Sequence, residues 1–308
     1  MSLTSLILVF VLFGVYGWLC GVEVGISFLR LLPSSTLTKS GLALFTPMWE
    51  VTNVFLVFGF TGFAVLFNNA LVPVSKAVLS SLVVALVALL IRALLVLILF
   101  YGKNKTGLTW QNLLFVLASL AVPLGFGAAG IVLLTGQGFW SSPAGWALFV
   151  SLCIGLLAMG AAFVYYVVGR TPHDRIHQVS RWLNLALSVV VLAVLQPILF
   201  HFQSHLVSYP LMFLMLLAIV LLAAQLLLWI TARDRYAWWV LTVFSFAAPL
   251  LLSLANRPYL FFSDFTIEGA YGAAAYGPVA IIGLAVIFPV ILIGFGFLTW
   301  LLVSPKRG

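Results

Sequence analysis

SKAVLSSLVVALVALLIRALLVLILFY, from Ser75 to Tyr101, is longer than the roughly 20 apolar residues that cross a bilayer, and beyond its first turn it carries one charge, Arg92. In hydrocarbon every backbone amide needs a partner within the protein, which leaves helices or a closed barrel. The stretch has no period-2 alternation, so a barrel strand is excluded and a transmembrane helix remains. Working outward, runs of the same kind extend from Ser2 to Leu32, Pro47 to Phe67, Trp110 to Gly136 and Pro143 to Gly169. Four more run from Gln178 to Phe202, Tyr209 to Ala232, Tyr236 to Asn256 and Ala273 to Val303. With 64% hydrophobic and 6% charged residues, the chain has too little polar surface for water, so lipid is its solvent. The expected fold class is all-α, a polytopic membrane protein of nine transmembrane helices.

The basic residues test this count, because nine spans put alternate loops on opposite sides. One side receives Arg30, Lys39, Lys103, Lys105, Arg170, Arg175, Arg181, Arg233, Arg235, Lys306 and Arg307, and the other only Lys76 and Arg257. The positive-inside rule then sets the N-terminus outside and the C-terminus in the cytoplasm. The net charge of +8 is thereby accounted for without nucleic acid as a partner. Met1 to Gly25 lacks the basic start of a signal peptide, so the first helix is expected to be retained. Residues 1–308 read as a single membrane domain. Ala121-Val122-Pro123-Leu124 and Ala247-Ala248-Pro249-Leu250 suggest a pseudo-repeat of 1–140 and 141–256, two four-helix bundles, with a peripheral ninth helix over 273–303.

Three ionisable side chains other than His, Tyr and Cys fall within spans: Glu23, Glu50 and Arg92. A charge at mid-membrane costs at least about 2.5 to 3.5 kcal/mol on insertion scales, so such groups tend to face the bundle interior and to be paired or functional. At the helical rise, Glu23 lies about 27 Å along a helix starting outside, Glu50 about 5 Å into one starting inside, and Arg92 about 24 Å beyond Lys76. All three arrive near the cytoplasmic end, which predicts one polar site built from the first three helices. Tyr16, Cys20, Glu23 and Ser27 form one polar stripe, while Glu50 and Asn53 share a face of the second helix. Gly17, Gly21 and Gly25 form another stripe, suited to close packing and expected to help build an interface with a partner. The site reads either as a proton or cation route from the cytoplasm or as a structural Glu and Arg pair that sets helix register.

His173 and His177 fall in an inside loop, and His201 and His205 stand at i, i+4 near an outer helix end without an attendant carboxylate, so solvated interfacial roles are expected. Met48, Met159, Met212 and Met215 read as packing, and Cys20 and Cys153 as small membrane residues. No metal site, Gly-rich phosphate loop or nucleophile elbow is present in the sequence.

Thr46-Pro47-Met48-Trp49-Glu50-Val51-Thr52-Asn53-Val54-Phe55 resembles the opening of the second helix of subunit II of cytochrome bd-type quinol oxidases. Trp49 and Glu50 match that family's Trp-Asp core. Gly21-Val22-Glu23-Val24-Gly25 resembles its Asp-Gly-Phe-Asp-x-Gly, with Cys20 on the first acid and Glu23 on the second. Arg92 matches an arginine of the third helix, although the family's following Pro-x-Gly-Phe-Glu-Tyr-Arg is missing. Val122-Pro123-Leu124, Met159-Gly160-Ala161-Ala162-Phe163, Pro258-Tyr259 and Thr266-Ile267-Glu268-Gly269-Ala270 follow in the family's order.

The resemblance implies a non-haem subunit of a quinol:oxygen oxidoreductase in the prokaryotic cytoplasmic membrane, with no catalytic centre of its own. It implies a haem-bearing subunit I of similar topology as partner, carrying haems b and d and meeting the quinol. A small accessory subunit, membrane lipids and a bound quinone or lipid are the further partners it suggests. Glu23, Glu50 and Arg92 become proton-pathway candidates, supported by Trp49, Asn53, Cys20 and Tyr16. The rival readings are a secondary transporter with buried carboxylates for ion coupling, and a membrane scaffold in which both glutamates are replaceable.

Overall fold

The computed structural model describes residues 2–31, 45–101, 109–135, 143–168, 178–187, 189–190, 193, 208–231, 233, 236–255, 257–260, 266–272, 277–286, 289 and 293. Apart from one isolated bridge between Tyr259 and Thr266, the regular structure among these residues is helical. The longer helices among them are α1 (Ser2–Phe28), α2 (Phe45–Leu66), α3 (Leu71–Val96), α4 (Thr109–Thr135), α5 (Pro143–Val168), α6 (178–187), α7 (Ser208–Ile230), α8 (Ala237–Ala255) and α9 (Gly277–Val286), with a single helical turn, Ile267–Ala270, between the last two. Each of these longer helices overlaps one of the nine predicted runs. Five stretches among the described residues are long and apolar enough to cross a membrane: Ser2–Leu31, Phe45–Leu66, Asn68–Phe100, Trp110–Leu133 and Gly145–Tyr166. The sixth and ninth runs continue outside the described residues.

Glycine decides which helix is central. A Cβ at Gly25 would meet the Gly160 backbone, and one at Gly21 would lie 2.6 Å from the Met159 side chain, so α1 and α5 touch nearly backbone to backbone. Such contact maximises dispersion where no hydrophobic effect separates helices from lipid. The expected partner interface along this stripe is therefore corrected: Gly21 and Gly25 are used within the chain, and only Gly17 is exposed with nothing within 4 Å of its would-be Cβ. α1 also packs on α2, α4 and α8. Of its most apolar window 61% is buried, against 33% for α3, so α1 is the hub and α3 a peripheral wall.

The contacts also set helix directions. Gly59 of α2 faces Phe13, and Thr52 approaches Glu23, so α2 runs antiparallel to α1. Gly125 of α4 packs on Ala85 of α3, and the Trp18 indole donates to Thr242 Oγ1 at 3.0 Å on α8. α3 reaches the end of α1 at a π-helical turn, Leu97–Tyr101, where the Arg30 guanidinium donates to the Leu99 carbonyl at 2.7 Å and lies 4.5 Å over the Phe100 ring. At the opposite end the segment after α8 folds back on α2: Asn69 donates to the Gly269 carbonyl at 3.1 Å, and Gly272 N–H to the Leu66 carbonyl at 3.3 Å. Arg30 and Arg233 thus lie toward one end of the bundle, and Lys76 and Arg257 toward the other.

Candidate functional site

The polar stripe of α1 points into the bundle. Tyr16, Cys20, Glu23 and Ser27 are all buried. Across from them Arg92, the largest fully buried side chain among the described residues, donates from Nη1 to Glu23 Oε2 at 2.6 Å, and both residues are 0% exposed. Each charge is costly alone in this setting, and the pair offsets that cost only because both partners are present. Thr52 of α2, also 0% exposed, bonds the Met48 carbonyl at 2.8 Å and lies against the carboxylate. The first three helices do meet at a polar cluster, but the residue α2 brings to it is Thr52 and not the expected Glu50.

Glu50 stands elsewhere. Two residues before Thr52 it projects to the far side of α2, since two helical steps turn about 200°, and it is exposed. The expected convergence of Glu23, Glu50 and Arg92 is therefore corrected: Glu23 and Arg92 meet, together with Tyr16 and Cys20, and Glu50 does not join them. Trp49 and Asn53 lie one turn apart, each half-buried, and Trp49 Nε1 and Asn53 Oδ1 have no partner among the described residues.

The pair is not saturated. Glu23 Oε1, Arg92 Nε and Nη2, and Tyr16 Oη are buried without a hydrogen-bond partner among the described residues. Ser119 Oγ, in the same condition, comes from α4. The Ala85–Gly125 contact sets the antiparallel register that brings Ser119 to the level of Arg92. Sequence reading missed both Thr52 and Ser119, because an uncharged hydroxyl in an apolar helix gives no signal until helix register is known. Chemically the cluster offers a carboxylate oxygen, the hydroxyls of Tyr16, Thr52 and Ser119, a thiol and guanidinium donors in a dry setting, the groups that hydrogen-bonded proton transfer needs.

Met48 and Met159 are buried in the apolar core, and Cys20 and Cys153 are free thiols. Among the described residues no group of three His, Cys, Asp or Glu side chains converges to hold a metal. His173, His177, His201 and His205 lie outside the described residues, and so do the side chains of Met212 and Met215.

A family profile described as cytochrome bd terminal oxidase subunit II matches residues 1–302. The chain belongs to that family. Among solved structures it is similar to one described as the structure of bd oxidase from Geobacillus thermodenitrificans. The TM-score is 0.79 at 20% identity, covering 99% of this chain and 100% of that one, a likeness of fold. No individually curated protein sequence gives a significant match. As a cytochrome bd subunit II, the chain is a multi-pass protein of the plasma membrane, in a family belonging to the haem-containing terminal quinol oxidases of respiratory electron transport. The family assignment does not favour the transporter reading.

Proposed function

We propose that this chain is the non-haem subunit II of a quinol:oxygen oxidoreductase, supporting a subunit I that carries haems b and d and oxidises the quinol. The family match across residues 1–302 carries this reading. The chain crosses the membrane nine times with its N-terminus outside and its C-terminus in the cytoplasm. It does so as two four-helix units, 1–140 and 141–256, with the helix of 273–303 at the edge. Electrons stay in the partner, and this chain holds the partner's haem bundle in place and helps deliver protons for water formation.

In the proton route Glu50 is the uptake group at the cytoplasmic mouth. A carboxylate exposed near the end of a membrane helix is favourable only beside headgroups or beneath a partner, which supports a place where cytoplasm, partner and this chain meet. Glu23 Oε1 is the next acceptor inward, Arg92 fixes the other carboxylate oxygen, and Tyr16, Cys20, Ser119 and Thr52 supply neighbouring hydroxyl and thiol groups. Trp49 and Asn53 border the mouth.

The reading is tested by affinity purification of the tagged chain from native membranes in mild detergent, with reduced-minus-oxidised spectra of the product. A one-to-one complex with a haem-bearing membrane protein is expected, and no haem on the chain when it is expressed alone. A stable lone chain that recovers no haem protein from those membranes would refute it.

A further inference from the structure

The repeated Ala-x-Pro-Leu of the sequence has no part in the function above. Carried two residues upstream it becomes Ser119-Leu120-Ala121-Val122-Pro123-Leu124 on α4 and Ser245-Phe246-Ala247-Ala248-Pro249-Leu250 on α8. Each box sets a serine four residues before a proline inside a helix. Proline has no N–H, so the carbonyl four residues earlier, that of the serine itself, loses the helical bond it would otherwise accept. In a membrane helix a carbonyl released in this way is satisfied by neighbouring groups or by ordered water. The two boxes then differ. Ser245 donates its hydroxyl to the Thr242 carbonyl at 2.8 Å. Ser119 is 0% exposed, and its Oγ has no partner among the described residues.

Packing aims Ser119 at the Glu23 and Arg92 pair. Phe115, Ser119, Val122 and Phe126 recur at i, i+4, i+7 and i+11, which is one face of α4. The Phe115 ring lies 5.0 Å from Phe45 of α2 and 5.7 Å from Phe100 at the end of α3, and Phe126 lies 5.7 Å from Tyr16 of α1. That face therefore looks into the junction of α1, α2 and α3. α1 runs parallel to α3, because Glu23 meets Arg92 and Arg30 meets Leu99, and α4 runs against both, because Gly125 packs on Ala85 and Phe115 on Phe100. Ser119 stands as many residues before Phe126 as Glu23 stands after Tyr16, which puts Ser119 level with Glu23.

The unpartnered groups at this level are of both kinds. Arg92 Nε and Nη2 are donors and Glu23 Oε1 is an acceptor, all buried without a partner among the described residues, and the Ser119 carbonyl adds a further acceptor. An anion would be repelled by the carboxylate and a cation by the guanidinium, so the fitting occupant is small, uncharged and able both to donate and to accept. We propose that the junction binds ordered water, held by the Arg92 guanidinium edge, Glu23 Oε1 and the hydroxyl and carbonyl of Ser119, and that Pro123 is the positioning residue that opens the site. Buried water typically makes about three such bonds. The water joins the carboxylate to α4, and in that use the inference rests on the proton route proposed above, although the site itself does not.

The test is X-ray radiolytic labelling of the detergent-purified complex, in which a bound water yields hydroxyl radicals that oxidise the side chains beside it, read by mass spectrometry. Tyr16 and Cys20, both buried, are expected to be oxidised in wild type. Ser119→Ala should lower their labelling rate about fivefold, the worth of one hydrogen bond. Pro123→Ala returns an N–H to the Ser119 carbonyl and should lower it as well. Ser245→Ala, the same change in the other box, should leave it unchanged, with equal thermal midpoints for the two serine variants showing that folding is not the cause. Glu50→Gln should also leave the labelling unchanged while it slows oxygen uptake, so the water and the proton route are read apart. Absence of labelling at Tyr16 and Cys20 in wild type, or equal labelling in wild type and Ser119→Ala, would overturn the proposal. Labelling that falls when chloride replaces sulfate in the buffer would overturn it too, by marking an anion site.

Discussion

Glu23 and Arg92 hold each other in a place where neither can be hydrated, so removing one leaves the other as an uncompensated charge. Glu23→Gln or Arg92→Gln alone should cost about 3 to 5 kcal/mol, read as loss of the intact complex on size exclusion in detergent. The double substitution to Leu should recover much of that stability, because two apolar groups leave no buried charge behind. Glu50 predicts the opposite pattern. Glu50→Gln should leave haem content and assembly near wild type and slow quinol-driven oxygen uptake per haem at every pH, since an amide fills the same volume but cannot relay a proton. Glu50→Asp should keep much of the rate. Equal turnover of wild type and Glu50→Gln would remove Glu50 from the proton route. The charged members of this site were legible in the sequence because charge in an apolar run is conspicuous. Which glutamate meets Arg92 was not, because depth alone does not give the rotation of α2, and the two-position step from Glu50 to Thr52 reverses the face.

At the scale of elements, the α1 glycines divide by what their missing Cβ would touch. Gly25→Ala would press a methyl into the Gly160 backbone and should cost about 1 to 3 kcal/mol, the usual penalty of overpacking. Gly17→Ala meets nothing within 4 Å and should be neutral in the same thermal unfolding assay of the detergent complex. A lower midpoint for Gly17→Ala than for Gly25→Ala would contradict the α1–α5 packing. Helix existence was readable from apolar run length, and Gly21 and Gly25 were readable as small-residue contacts. Their neighbour was not, because lipid and protein are equally apolar and hydropathy cannot say which side of a membrane helix meets which. For the same reason nothing in the sequence marked α1 as the hub or α3 as the outer wall with Leu79, Val84, Leu90 and Leu94 exposed. The π-helical turn at Leu97–Tyr101, held by Arg30, was equally unreadable because its cause is a contact from another helix.

Among the described residues, Arg30 and Arg233 lie toward the end where α3 terminates and α8 begins, with Lys76 and Arg257 toward the other, and the antiparallel contacts of α1 with α2 and α8 agree with alternating spans. With the N-terminus outside, single cysteines at positions 76 and 257 should react with a membrane-impermeant maleimide in intact cells, whereas one at 233 should react only after permeabilisation. The reverse labelling would invert the topology and move Glu50 to the outer mouth. Most direct for the account as a whole is removal of this chain from its native membranes, with haem spectra and quinol-driven oxygen uptake recorded before and after its return on a plasmid. The account predicts that the bd-type haem signal and the oxygen uptake it supports are lost together and restored together. An unchanged haem signal and unchanged uptake in membranes lacking the chain would contradict it.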